Sequence, residues 1–329
     1  VVMGILQYRA LAAGVAVSEI VKMDCIGDEV CQNVLLAGAC LEDVGEAGLG
    51  RGTTNEVIRA LQEAVLNREL PPGTQRDAGF ILGRLAGSNP EMLQRIRPDL
   101  DDFIPIPAGE FLYGEPPKSK RIKQPFEIAK YPVTNLQFRR FVDDKGYERQ
   151  ELWSAEGWDW RIGKWDTKAE DYLKDWLKGR PTELRSKPFY WNNRKWNNPL
   201  APVVGISWFE AEAYCRWLSA QLNGRPVRLP TEQEWERAAR GMQGREYAWG
   251  DDFDRYLVNC RDFWAKMLKV SDDGKRRESV INYYEPSTTL VGQFPQGATP
   301  EGICDLSGNV WEWTDSWYET QKVNRGVRG

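Results

Sequence analysis

Histidine is missing from all 329 residues. Its absence excludes Ser-His-Asp triads, Cys-His pairs and every iron, zinc or copper site built on imidazole. Cysteine is sparse, at Cys25, Cys31, Cys40, Cys215, Cys260 and Cys304, and no two form a Cys-x-x-Cys pair. That spacing is neither a disulfide framework nor a zinc ribbon, and a reducing cytoplasm is the simplest home for it. No apolar run is long enough to cross a bilayer, and Gln7, Tyr8 and Arg9 break the apolar start of the chain, so residues 1–17 make a poor signal peptide. The basic excess of a nucleic-acid binder is also lacking, since the net charge is -4. No Gly-x-x-x-x-Gly-Lys-Ser/Thr phosphate loop occurs, so a nucleotide-hydrolysing module of that type is not on this chain. Tryptophan is absent from residues 1–100, whereas all 15 lie between Trp153 and Trp317. A shift of that size implies two regions of different construction.

Hydrophobic residues at 41 % and charged residues at 28 % are ordinary for a soluble globular protein, and the length suffices for two or three domains. Residues 1–100 carry short helical stripes. Val57, Ile58, Leu61, Ala64 and Val65 form one, with Thr54 or Asn55 as its cap. Ala78, Ile81, Leu82 and Leu85 form another that ends near Gly87. An earlier helix runs around Val30 to Leu41, before a glycine-rich break from Gly45 to Gly52. Helices this short are marginal alone and must stack, which predicts an all-α helical-repeat region, although no exact internal period is present. Cys25, Cys31 and Cys40 are packing residues on this reading.

Beyond residue 100 the pattern changes. Phe103 to Gly114 alternates apolar residues with Pro105, Pro107, Gly109 and Gly114, which predicts strands joined by tight turns, the first on a sheet edge. Residues 115–125 form a polar loop with Lys118, Lys120, Arg121 and Lys123, a solvated turn or an anion site. Three helix starts share one device, the capping box: Thr134-x-x-Gln137, Ser207-x-x-Glu210 and Thr231-x-x-Glu234. Cys215 lies on the apolar stripe of the second helix and reads as core, not nucleophile. Two long inserts, 148–200 and 261–288, have no sustained period. Long loops bearing Trp and Tyr on a firm scaffold are what recognition surfaces are made of. Trp153, Trp158, Trp160, Trp191 and Trp196 are the candidate ligand-binding residues, against the plainer reading that indoles fill the core.

Near the far end, Gly302-Ile303-Cys304-Asp305-Leu306-Ser307-Gly308-Asn309 supplies a turn, and Val310-Trp311-Glu312-Trp313-Thr314 alternates faces if extended. A carboxylate between two indoles is costly to bury alone. Glu312 is therefore solvated, paired to an Arg, or bound to a cation.

From about residue 101 the chain resembles the formylglycine-generating-enzyme, or sulfatase-modifying-factor, family. The stretches that carry the resemblance are Ile104–Phe111, Tyr131–Phe138, Pro202–Trp208, Ala213–Leu218, Arg228–Glu236 and Gly308–Trp313. The resemblance implies an α+β, C-type-lectin-like domain over 101–329, C-terminally incomplete, after an α-helical repeat region over 1–100. Arg76-Asp77-Ala78-Gly79 and Leu82-Gly83-Arg84-Leu85 resemble the repeats preceding such a domain in bacterial NACHT-type signalling ATPases, where effector and ATPase modules lie upstream. Family oxidases hold copper with two cysteines after an Arg-Gly-Gly-Ser-type motif, and this chain stops at Gly326-Val327-Arg328-Gly329, where that motif would begin. The resemblance also implies calcium, held by the side chains of Asp305 and Glu312 and the carbonyls of Gly308 and Val310. Asn259 with the carbonyl of Cys260 matches part of a second site. Calcium prefers the oxygen donors these residues supply.

The expectation is a non-catalytic recognition portion of a larger bacterial signalling or defence protein, cytoplasmic, with a protein or peptide target. Neither membrane nor nucleic acid is an expected partner. The alternatives are a copper oxidase whose active cysteines lie beyond residue 329, and a module that only mediates assembly.

Overall fold

The computed structural model describes residues 2–23, 31–164, 180–265, 287–318 and 325–329. Cys25 and the charged tip from Asp272 to Arg277 lie outside the described residues. Helices and short sheets are both present, and among the described residues no helix is long and apolar enough to cross a membrane. The chain divides into two compact units, and the first break falls between Leu100 and Asp101. Residues 198–200 and 255–294 belong with the N-terminal helices.

The first unit is built on α1 (Val2–Lys22), α2 (Gln32–Leu49), α3 (Arg51–Leu66), α4 (Pro72–Ser88) and α5 (Pro90–Ile96), each packed on its successor. Val34, Ala37, Leu41, Val57, Ile58, Leu61, Ile81, Leu82 and Leu85 fill the space between them. Gly45 and Gly50, with φ of 67 and 80, interrupt the helical run where the glycine-rich break was expected. The α3 helix starts earlier than its sequence suggests. It begins after Gly50, and Thr54 is fully buried inside it and caps nothing.

The glycines of α4 explain its motif. Gly79, Gly83 and Gly87 recur every fourth residue, so they share one helix face. That face receives Leu290, Asn198 and Pro199, whose side chains leave no room for a Cβ at Gly83 or Gly87. Asn198 Nδ2 donates to the carbonyl of Phe80 at 2.8 Å. Arg97 Nη2 reaches the carbonyl of Val291 at 2.7 Å, and the amide of Val291 donates to the carbonyl of Leu200 at 3.0 Å.

Among the described residues the second unit has three antiparallel ribbons. Strand β1 (Phe103–Ile106) pairs with β4 (Phe126–Ala129), β2 (Gly109–Tyr113) with β3 (Lys118–Ile122), and β5 (Glu312–Trp317) with β6 (Arg325–Arg328). Among the described residues β1 pairs with β4 alone, which is why Pro105 is tolerated in it. Its helices are α6 (Asn135–Asp143), α7 (Ala155–Arg161), α8 (Trp208–Gln221) and α9 (Glu232–Arg240). All three capping boxes form, with both reciprocal hydrogen bonds present at Thr134, Ser207 and Thr231. One core gathers Phe138, Phe141, Tyr147, Trp153, Trp160, Tyr214 and Trp217. Another gathers Ile106, Trp235, Ala238, Ala239, Ile303 and Leu306.

Candidate functional site

Two places in the second unit carry chemistry beyond packing. The first is the turn before β5. Asp305, Gly308 and Asn309 have φ of 60, 76 and 62, so the backbone coils through three left-handed residues within five positions. The turn is pinned by the amide of Cys304 on the carbonyl of Lys130 at 2.9 Å and the amide of Ala248 on Ser307 Oγ at 3.2 Å. Glu312 follows it. Trp235 Nε1 donates to Glu312 Oε2 at 3.2 Å, and the charge of Asp305 is close enough to act on it. Burial pushes the Glu312 carboxyl up to about 8, the indole hydrogen bond pulls it down, and the Asp305 carboxylate pushes it up further.

Of the three readings of Glu312, pairing to an Arg is the one the geometry removes. Arg328 stands opposite Glu312 in the β5–β6 register, yet its Nε is 3.2 Å from Glu232 and its Nη2 3.6 Å from Glu236. Glu312 and Asp305 are thus two neighbouring carboxylates, the first of them raised by burial. Among the described residues no three His, Cys, Asp or Glu side chains converge. A cation here would need backbone oxygens as well, which a hard ion such as calcium accepts and a soft one does not. Of the two carbonyls expected as donors, that of Gly308 accepts from the amide of Val310 at 2.8 Å.

Asn259 and Cys260, expected at a second cation site, make hydrogen bonds within the helical unit. Asn259 Oδ1 accepts from Trp264 Nε1 at 2.8 Å, and its Nδ2 donates to the carbonyl of Ser287 at 2.9 Å. The carbonyl of Cys260 accepts from the amide of Trp264 at 3.4 Å. Both residues belong to the helical unit and hold the short helix Arg261–Ala265 in place.

The second place is the segment between α6 and α8. Trp153 and Trp160 are corrected from ligand-binding to core. Both are buried, they stack at 6.2 Å, and Trp153 Nε1 donates to the carbonyl of Gly146 at 3.0 Å. Trp158 and Trp191 are half-buried against the same core. Trp196 is half-buried, 5.8 Å from the ring of Tyr190, with the Lys195 ammonium 5.2 Å from its own ring.

An ion pair that sequence reasoning missed anchors this segment. Arg180 and Glu210 are fully buried and joined by two hydrogen bonds of 2.6 and 2.9 Å. Tyr147 donates its hydroxyl to the same Glu210 at 2.6 Å, and burial beside that carboxylate raises the phenol well above its ordinary range. Arg180 and Arg185 both stand over the Trp160 ring, at 5.1 and 5.3 Å. Glu210 was visible as a capping-box residue, but nothing marks Arg180 as its partner. A second missed feature is Arg325, sandwiched between Trp208 and Trp317 with each ring 3.7 Å away and held by Asp315 at 3.0 Å. Cys215 is buried, and its thiol is pushed up to about 12 by burial, so it packs as expected.

The family model described as the sulfatase-modifying factor enzyme 1-like domain matches residues 88–329. Among relatives, the inactive C-alpha-formylglycine-generating enzyme 2 of Bos taurus is 31 % identical over 256 residues, which is 69 % of this chain and 75 % of the relative. The hercynine oxygenase of Mycolicibacterium thermoresistibile is 30 % identical over 261 residues, 75 % of this chain but only 46 % of the relative. The formylglycine-generating enzyme of Streptomyces coelicolor is 28 % identical over 239 residues, 65 % of this chain and 68 % of the relative. The matches therefore include proteins named as enzymes and proteins named as inactive.

Proposed function

This chain belongs to the sulfatase-modifying factor enzyme 1-like family, and we propose that within it the chain is a recognition module that performs no chemistry of its own. The observation that carries the reading is the aromatic segment from Pro188 to Trp196, with Phe189 and Tyr190 exposed, tied at its start to the fully buried Arg180–Glu210 pair by Arg180 Nη2 on the carbonyl of Lys187 at 2.9 Å. A preset surface loses little freedom on binding, which is where recognition loops gain affinity. The buried thiol of Cys215, held protonated, supports the same reading. The domain is C-type-lectin-like on this proposal, and the helical unit is the stalk by which a larger cytoplasmic signalling protein carries it.

Calcium has a place in the proposal. Asp305 and Glu312 would hold it with the carbonyls of Gly308 and Val310. When bound, the ion neutralises two neighbouring carboxylates and fixes the turn that leads into β5.

The test is selection from a random peptide display library on the purified full chain. An enriched sequence set is expected, whose synthetic members bind saturably by calorimetry and lose affinity for a Trp196→Ala variant. No enrichment over bare support overturns the reading. The relatives named formylglycine-generating enzyme and hercynine oxygenase favour a second reading, an oxidase completed by residues beyond 329. Mass spectrometry of cysteine peptides incubated with the longer protein, copper and oxygen decides it, since oxidation of the peptide thiol would replace the first reading.

A further inference from the structure

We propose that the hairpin from Glu246 to Phe253 docks an arginine-bearing peptide segment of a partner protein. The inference goes beyond the recognition reading above and does not depend on it, since the hairpin shares no residue with the segment from Pro188 to Trp196.

The apolar part is a group of three rings on a tightly closed turn. Tyr247 N–H donates to the carbonyl of Gly250 at 2.8 Å, and Gly250 N–H donates back to the carbonyl of Tyr247 at 3.2 Å, so Ala248 and Trp249 form a two-residue loop. Ala248 is buried in the core of Trp235 and Ile303, and its N–H donates to Ser307 Oγ at 3.2 Å, which fixes the loop. The Tyr247 and Trp249 rings stack at 5.1 Å with 8° between their planes, and Phe253 meets Tyr247 at 5.7 Å, tilted by 51°. Trp249 Nε1 donates to the carbonyl of Asp252 at 3.0 Å, which ties the returning chain to the rings. Tyr247 and Trp249 are half-buried, while Phe253 is 47 % exposed.

Carboxylates flank the rings on both arms of the hairpin. Glu246 precedes Tyr247, Asp251 and Asp252 precede Phe253, and all three are exposed. Asp251 Oδ1 accepts from the Glu246 N–H at 3.0 Å, so the two arms lie side by side and bring these acids together. Among the described residues no ammonium or guanidinium pairs with them or stands over the three rings. Of the arginines that bracket the hairpin, Arg245 Nη2 donates to the carbonyl of Ala239 at 3.3 Å and lies 3.9 Å from Glu301, and the Arg255 charge acts on the Cys260 thiol. Exposed carboxylates beside rings steer cationic segments to this face.

A carboxylate beside an aromatic face suits a guanidinium, which is planar, stacks on a ring and donates in pairs to carboxylate oxygens. The chain uses this combination once already, where Arg325 stands between the Trp208 and Trp317 rings at 3.7 Å and meets Asp315 at 3.0 Å. Three carboxylates spread over both arms of the hairpin exceed what one compact cation engages. A peptide with arginines at intervals is favoured over a small quaternary ammonium for that reason.

The probe is a labelled synthetic peptide alternating Arg with Ser, titrated against the full chain by fluorescence anisotropy. Its citrulline-for-Arg isostere is the control, and tetramethylammonium is the competitor. The expected result is affinity at least about tenfold above the isostere, weakening as salt rises. Asp251→Asn/Asp252→Asn should lose about tenfold, although an asparagine oxygen at 251 still accepts from the Glu246 N–H. Phe253→Ala should lose about two- to fivefold with the salt dependence unchanged. Asp43→Asn/Glu63→Gln makes the same change of charge at exposed positions of the helical unit and should bind like the parent. Unchanged melting curves show that each variant folds. Equal binding of the isostere, no saturable binding of the arginine peptide, or an equal loss in Asp43→Asn/Glu63→Gln overturns the proposal. Full affinity in Phe253→Ala, or displacement of the peptide by millimolar tetramethylammonium, overturns it too. None of these outcomes bears on the segment from Pro188 to Trp196, so the recognition reading stands or falls separately.

Discussion

A single carboxyl group decides how the turn before β5 behaves with pH. Folded, Glu312 titrates at about 8, against an ordinary value of 4.5. The folded chain therefore holds this proton more tightly than the unfolded one. Its contribution to stability is fully present below about pH 4.5 and is lost as pH rises through about 8. Chelator-treated protein should lose stability across that window, by up to a few kcal/mol. The residue keeps some exposed surface, so this figure is a ceiling. Calcium reverses the argument, because a bound cation stabilises the charged carboxylate and only the folded chain binds it. Melting curves at several pH values in chelator and in calcium check both limbs; identical curves would remove calcium from the turn. Another residue acts in the opposite sense. Gln293 is 3 % exposed, and among the described residues neither atom of its amide has a hydrogen-bond partner. A buried, unsatisfied amide costs about 1–3 kcal/mol. Gln293→Met, of similar length, should raise the denaturation midpoint by about 1 kcal/mol or more in free energy; a loss would mean the amide is satisfied in solution by ordered water.

At the scale of elements, glycine in a helix gives a test in which the sign carries the argument. Replacing a helical glycine by alanine ordinarily stabilises by about 1 kcal/mol. Gly73, near the start of α4, has open space where its Cβ would be, so Gly73→Ala should follow that rule. Gly83, ten residues on in the same helix, presses against Asn198, and Gly83→Ala should destabilise despite the better propensity. Urea unfolding of the two variants tests this, and the same sign for both would mean that residues 198–200 do not pack on α4. The Arg180–Glu210 pair makes a larger claim. Arg180→Met leaves a fully buried carboxylate without its cation, a change that costs about 3–5 kcal/mol. Because that pair holds the segment carrying Tyr190 and Trp196, hydrogen exchange should quicken first at residues 188–197. Uniform exchange in this variant would show that the segment is held by something else.

Across the whole molecule, what could be read from the chain follows sequence distance. The capping boxes at Thr134, Ser207 and Thr231 were legible because each is closed within four residues. The family stretches were legible as short runs, and the break at Leu100 showed in tryptophan usage. Arg180 was not legible, since its partner lies 30 residues away and nothing local pairs them. Trp153 and Trp160 were misread for a related reason. An indole in an aperiodic segment carries no mark of whether Gly146 or a ligand takes its N–H. The membership of residues 255–294 in the helical unit was hidden for the same cause, being a contact across more than half the chain. It leads to a final prediction. The family match begins at residue 88 and so leaves out α1 to α3 and most of α4. Yet Leu290 packs on Gly79, and Arg76 of α4 stands 5.7 Å over Trp264. A fragment beginning at residue 101 would strip Leu290 and Trp264 of these partners and expose the apolar group of Phe263, Trp264 and Phe294. It should bind a hydrophobic dye and self-associate, and the full chain should do neither. A fragment that stays monomeric and unfolds in one cooperative step would show that residues 255–294 fold without the helices.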